Sequence, residues 1–239
     1  MAQAKSVLLR VADVVRETED AVSIVFEGHP ELPAHRPGQY LTLRVPSELT
    51  GSVARCYSLA SSADRHEPTR VIVRRTASGY ASNWLCDNTP PVPRSRCRLR
   101  LGCSRPPRWD QDLLLLAGGS GITPVLAIAK SVLSTGTGSI ELFYANRDAE
   151  SVIAAAELRD LAARVPRQLS VRHWLEPLHG PPQAEELVRL AGRRRAGTRS
   201  SAAPAPSWRR SVGLDGGPEA GAQGDPHRGL HIAVRGPVR

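Results

Sequence analysis

Lysine is almost missing from this chain. Lys5 and Lys130 are the only two, so nearly all of the formal charge of +9 is carried by arginine. An excess of that sign raises the question of a nucleic-acid partner. Its distribution argues against one: "GRRRAGTR" (192–199), Arg209 and Arg210 concentrate charge near the end, with few aromatic side chains nearby on which bases could stack. Cysteine is scarce and scattered. Cys56, Cys86, Cys97 and Cys103 form no Cys-x-x-Cys pair, which excludes the usual zinc and iron–sulfur frameworks and leaves free thiols in a reducing compartment as the expectation. His227 and His231 lie four apart but have no companion ligand, so no metal site is expected. Long apolar runs are also lacking: the run at 113–117 is far too short to span a bilayer. Near the N-terminus Asp13 interrupts what would be a signal peptide's apolar core, so mature cytoplasmic sequence without export is expected.

What is present is ordinary globular composition. With 239 residues, 41% hydrophobic and 23% charged, two modest domains can each bury a core. From Val7 to about Arg75, short alternating runs ("SVLLRVADVV", "AVSIVFEG", "QYLTLRV", "CYSLAS", "TRVIVRR") are separated by turn material such as Arg36-Pro37-Gly38. That spacing predicts a small antiparallel β-barrel over 1–108. From Asp112 the pattern changes. An apolar strand at 113–117 leads to a helix whose face is Val125, Ile128, Ala129, Val132 and Leu133, and then strand, helix and strand follow at 139–147, 151–165 and 168–176. The alternation predicts a parallel α/β domain over 109–191. Residues 192–239, rich in Arg, Gly, Pro, Ala and Ser without a sustained period, read as a disordered tail.

Three stretches carry candidate chemistry. Between strand and helix, "AGGSGITP" places Gly118, Gly119, Ser120 and Gly121 before Thr123 as a candidate cap and Pro124 as a candidate first helical residue; free N–H groups and a positive helix end there suit a phosphate. The loop is not a G-x-G-x-x-G match, and a plain structural turn remains the alternative. On a barrel strand, "RCYSLAS" offers Arg55 to a phosphate, the Tyr57 ring to an aromatic system and the Ser58 hydroxyl to a ring heteroatom; the alternative is an edge strand with one exposed arginine. In "GYASNWL", Ser82 or Asn83 can cap a short helix entered through Gly79, a start that suits a pyrophosphate, while Trp84 and Leu85 read as core.

Taken in order, "RPGQYLTL", "RCYSL", "VIVRR", "GYASNWL" and "LLLLAGGSGITP" resemble the ferredoxin-NADP reductase superfamily over residues 7 to about 190. "GSVARCYSLASS", "SNWLCDN" and "YANRDAESVI" are similar to the reductase components of bacterial oxygenases, the 3-ketosteroid 9α-hydroxylase type in particular. The resemblance implies a flavoprotein oxidoreductase using FAD and NADH or NADPH, with NADH preferred, and an oxygenase or another electron-acceptor protein as partner. It implies that Arg55, Tyr57 and Ser58 hold the flavin, that Arg74 lies near the FAD diphosphate and that Gly79, Ala81 and Ser82 cradle it. Gly118, Gly119, Gly121 and Thr123 would receive the pyridine nucleotide, and Tyr144, Asn146 and Arg147 would flank its adenosine half. Ser58 and Thr123 would stand nearest the reacting rings.

The chain departs from the family at four places. A Val-Gly-Asp turn and a Pro-x-Gly-x-Phe strand are replaced by "NTPPVPRSRCRLRLGCSRPPRW"; a Cys-Gly-Pro strand end and a Cys-rich iron–sulfur loop are absent. A GC-rich back-translation of 198–211, read in a neighbouring frame, restores Cys-Gly-Pro. The expectation is therefore a truncated or frameshifted reductase lacking its 2Fe-2S ferredoxin domain, with an incomplete nucleotide-binding sheet and reduced turnover. The rival readings are a basic nucleic-acid or partner-binding protein and a non-functional product.

Overall fold

A computed structural model describes residues 6–30, 35–88, 94–100, 112–183, 185 and 230–234. The N-terminal half is a six-stranded antiparallel sheet made of β1 (Ser6–Thr18), β2 (Ala21–Phe26), β3 (Tyr40–Ser47), β4 (Gly51–Ser58), β5 (Arg70–Arg74) and β6 (Arg94–Arg100), in the order β4-β3-β6-β1-β2-β5. The alternation read from the sequence has its physical counterpart here. Ile24 and Phe26 of β2, Leu41, Leu43 and Val45 of β3, and Val71 and Val73 of β5 meet in one apolar core. Helix α1 (Tyr80–Asn88) adds Ala81 and Leu85 to it. Beyond β4, Leu59 bridges to Val71 of β5, so the two edges of the sheet meet at one end and the sheet curls on itself as expected of a barrel.

The second sheet has β7 (Leu113–Gly118), β8 (Ile140–Asn146) and β9 (Leu169–Leu175) parallel, with β10 (Leu230–Val234) on the outer side of β7, in the order β10-β7-β8-β9. Helices α2 (Ile122–Thr135) and α3 (Ala155–Arg164) cross between them, and a short α4 (Glu176–His179) follows β9. Val125, Ile128, Ala129 and Val132 of α2 are buried, as the periodicity predicts. The core they join is shared: Ala21, Ala60 and Ile72 from the barrel lie in the same cluster as Ile122 and Ile153.

Several expectations are corrected. Helix α2 begins at Ile122, so its N-cap is Gly121 rather than Thr123, and Pro124 lies inside the first turn rather than opening it. Helix α3 begins at Ala155 rather than 151, because Ala154 takes a left-handed conformation with φ 57° that a helix cannot continue through. The strand β6, not picked out from "RSRCRLR", lies in the middle of the barrel sheet between β3 and β1. In the tail, Leu230–Val234 is a strand, β10, paired antiparallel to β7, whereas disorder was expected throughout 192–239; the other tail residues lie outside the described ones.

Candidate functional site

The candidate residues lie on β4, β5, the entry to α1, the turn from β7 into α2, and the end of β8. On β4, Arg55 is exposed and its Nη1 donates to the Ala54 carbonyl at 2.8 Å. Tyr57 packs partly on the barrel core, and Ser58, half-buried, pairs with Tyr40 across the strand.

Entry into α1 is a tight turn closed by side chains. Gly79 N–H donates to the Thr76 carbonyl at 2.8 Å, and Ser78 sits at φ 58°. Ser82 Oγ accepts from the Thr76 N–H at 3.2 Å and donates to the Gly79 carbonyl at 3.3 Å, while Asn83 Nδ2 donates to the Thr76 carbonyl at 3.3 Å. Neither residue is therefore the N-cap foreseen for it: both reach back from inside the helix to brace the turn. A Cβ on Gly79 would stand 2.7 Å from Ser82 Oγ, 2.8 Å from Thr76 Cβ and 3.0 Å from the Thr76 carbonyl oxygen. Only glycine fits. The N–H groups of the first helical turn have no intrahelical acceptors, so this end is available to an anion.

At the end of β7, Gly118 leads into a 3₁₀ turn, Gly119–Gly121, with Gly119 at φ 47°, and then directly into α2. Thr123 is 3% exposed and its hydroxyl donates to the Ser120 carbonyl at 3.0 Å. From β8, the Tyr144 hydroxyl donates to the Gly119 carbonyl at 3.0 Å and approaches the Ile153 carbonyl at 3.4 Å. Burial holds this phenol well above its ordinary range, outweighing its hydrogen bonds and the nearby Arg74 charge, so it remains a donor at neutral pH. Asn146 is 4% exposed at the carboxyl end of β8. It lies beside the Tyr144 hydroxyl, yet neither amide atom meets hydrogen-bond geometry among the described residues. A buried carboxamide in that condition costs free energy unless a ligand or water completes it. Arg147 is exposed and paired with Asp148 at 2.8 Å.

The two groups are joined by β5. Val71 and Val73 face the barrel core, whereas Ile72 lies in the core of the second domain. One side of β5 packs on α1, and the strand also touches the Gly119–Gly121 turn. Arg74 follows the register of Ile72. Its Nε donates to Asp20 Oδ2 at 2.8 Å, and its charge is felt at Tyr144. Burial works to raise the Asp20 carboxyl, but hydrogen bonds from Arg74 and Thr18 outweigh it and hold it below its ordinary value. The structure thus brings Arg74 toward the second glycine turn, while its neighbour Arg75 pairs with Asp87 of α1. Asp20 and Thr76 escaped the sequence reading because neither stands in a run with a recognisable period. Gly79, Ala81, Ser82, Gly118, Gly119, Gly121, Tyr144 and Asn146 all lie at the carboxyl edges of strands or at helix starts, the places where open α/β sheets and barrels of this kind leave room for a ligand.

Residues 115–190 match the family described as the oxidoreductase NAD-binding domain. Over 190 residues the chain is 55% identical to the ferredoxin reductase component of 3-ketosteroid-9-alpha-monooxygenase from Mycolicibacterium smegmatis, a match covering 77% of this chain and 54% of that protein. The component of the same name from Rhodococcus rhodochrous is 52% identical over 190 residues, covering 78% and 54%. The chain spans about half the length of the curated relatives it matches. Among solved structures, the Amycolatopsis cytochrome P450 reductase GcoB superposes with a TM-score of 0.63 at 26% identity, covering 72% of this chain and 52% of that one. A Plasmodium falciparum ferredoxin-NADP+ reductase bound to 2'P-AMP superposes with a TM-score of 0.65 at 16% identity, covering 80% and 81%.

Proposed function

Because the chain belongs to the ferredoxin-NADP reductase superfamily, among the reductase components of bacterial oxygenases, we propose that it is an FAD-dependent oxidoreductase. It takes electrons from NADH and passes them to an oxygenase or another electron-acceptor protein in the cytoplasm. The observation that carries this reading is the double contact of β5, which packs on α1 and touches the Gly119–Gly121 turn. Two anion-binding helix starts, one per domain, are thereby held on the same strand. No described helix is long and apolar enough to cross a membrane.

FAD and the pyridine nucleotide both fit residues that are present. The Gly79 turn, with no room for a side chain, suits the FAD diphosphate on the first-turn N–H groups of Tyr80, Ala81 and Ser82. Tyr57 and Ser58 supply a ring face and a hydroxyl to the flavin, and the exposed Arg55 a cation to its phosphate. The Asn146 amide, without a hydrogen-bond partner among the described residues, and Arg147 beside it suit the nucleotide, whose diphosphate would be held at Gly118, Gly119 and Gly121. Hydride transfer from nicotinamide to flavin is chemistry the bound cofactors supply; the protein binds and orients them. Thr123 shapes the start of α2 by holding the Ser120 carbonyl. Thermal melting of the chain with and without added FAD tests the reading, since a ligand confined to the native state must raise the melting temperature. An FAD-independent melting curve would refute it.

A further inference from the structure

One of the chain's two lysines is buried where the two domains meet. The Lys130 side chain, on α2, is 2% exposed, and its Nζ lies 2.6 Å from Glu67 Oε2 and 2.9 Å from Glu157 Oε1. Glu67 belongs to the barrel, just ahead of β5, and its Oε2 also accepts the Ser62 N–H at 3.0 Å. Glu157 belongs to α3 and is bound on its other oxygen by Arg70 of β5. The next residue on α2, Ser131, meets Ser62 hydroxyl to hydroxyl at 2.7 Å. Further along the seam, Glu17 of β1 accepts the N–H of Ala154 at 3.1 Å and faces Arg70 at 3.8 Å. Burial works to raise the Glu157 carboxyl, yet the Lys130 and Arg70 charges outweigh it and hold it below its ordinary range.

A buried charge is retained only where its partners are held in place, and losing one partner leaves the rest uncompensated. Here the partners come from both domains, and the helix they grip is the one into which the glycine turn leads. Sliding or turning α2 against the barrel would move Thr123 and Gly119–Gly121 relative to β4 and β5. We propose that Lys130 is a positioning residue for hydride transfer: its pairing with Glu67 sets α2 against the barrel and thereby the approach of nicotinamide to flavin. The proposal rests on the reading of the two cofactor sites given above.

Two variants of the full chain test it, Lys130→Met and the milder Glu67→Gln, which discharges the barrel's partner of Lys130, and with it the Arg65 pair, while leaving Glu157 and Arg70 in place. Hydrogen exchange of the cofactor-free protein reads whether the seam loosens, and anaerobic stopped-flow reduction of the FAD-loaded protein reads the affinity for NADH separately from the limiting rate. The expected result is faster exchange at α2 and β5, FAD and NADH affinities within about threefold of the parent, and a limiting rate lower by roughly 10- to 100-fold. Lys130→Arg, which keeps the charge, should recover part of the rate. Unchanged exchange in Glu67→Gln, or an unchanged rate per bound flavin once exchange has risen, overturns the proposal. A parent chain that takes up no FAD overturns the functional reading itself, and the proposal with it, and is recognised by the absence of flavin before any variant is made.

Discussion

The two glycine turns reach the same result by different means. The turn into α1 supports itself: Ser82 and Asn83 reach back to Thr76, and Gly79 sits where no Cβ can be placed. The turn into α2 has little of this kind. It runs through a 3₁₀ segment, receives one local side-chain bond from Thr123, and otherwise leans on Tyr144 from the neighbouring strand and on the buried flank of α2. A site built from local bonds survives changes elsewhere in the molecule, whereas a site built from tertiary contacts inherits the state of the interface behind it. The first turn is therefore expected to lose its ligand by local substitution, and the second to keep its ligand but lose its placement against the barrel by damage at the domain seam.

The largest effect should come from the seam. Lys130→Met leaves Glu67 and Glu157 facing each other without their shared cation, and should lower stability by about 3 kcal/mol in a denaturant melt. Gly79→Ala should cost about 1–3 kcal/mol through the forced shift of Thr76 and Ser82. It should weaken FAD binding at least tenfold by flavin fluorescence titration while leaving nucleotide affinity within error. Acid probes the seam without mutation. The Glu157 carboxyl is held below its ordinary value of 4.5, so its contribution is present above that pH and is lost as the pH falls through the depressed folded-state value. Melting temperatures measured down an acid series should fall there, and Glu157→Gln should flatten that part of the profile. Thr123→Val removes the bond to the Ser120 carbonyl and should cost about 1 kcal/mol, with a slower flavin reduction and little change in FAD content. The smallest effect should be a gain: Ala154→Gly relieves a left-handed alanine and should raise stability by about 0.5 kcal/mol, provided its N–H keeps Glu17.

Much of this organisation was legible in the sequence because it is periodic. The change at Asp112 from alternation to a continuous apolar strand and then a 3.6-residue repeat located the second domain, and the glycines between strand and helix located its ligand edge. The strand β6 was hidden because every second residue of "RSRCRLR" is arginine and prolines precede it, so it lacks the apolar signature of a central strand. The late start of α3 turns on one backbone angle at Ala154, which an alanine does not announce. The seam was invisible for a different reason. Glu17 meets Ala154 across 137 residues and Arg70 meets Glu157 across 87, separations that no local window contains. One trace did lie in the sequence: Lys130 is the one charged residue of its helix, in a chain that uses arginine almost everywhere else.

Whether the two turns serve one electron path is decided by an anaerobic titration of the purified, FAD-loaded chain with NADH, followed by visible absorbance. Bleaching of the flavin bands in proportion to the NADH added is the predicted result. Bound flavin that stays oxidised in excess NADH and excess NADPH would mean that the Gly119–Gly121 turn delivers no nicotinamide to the barrel.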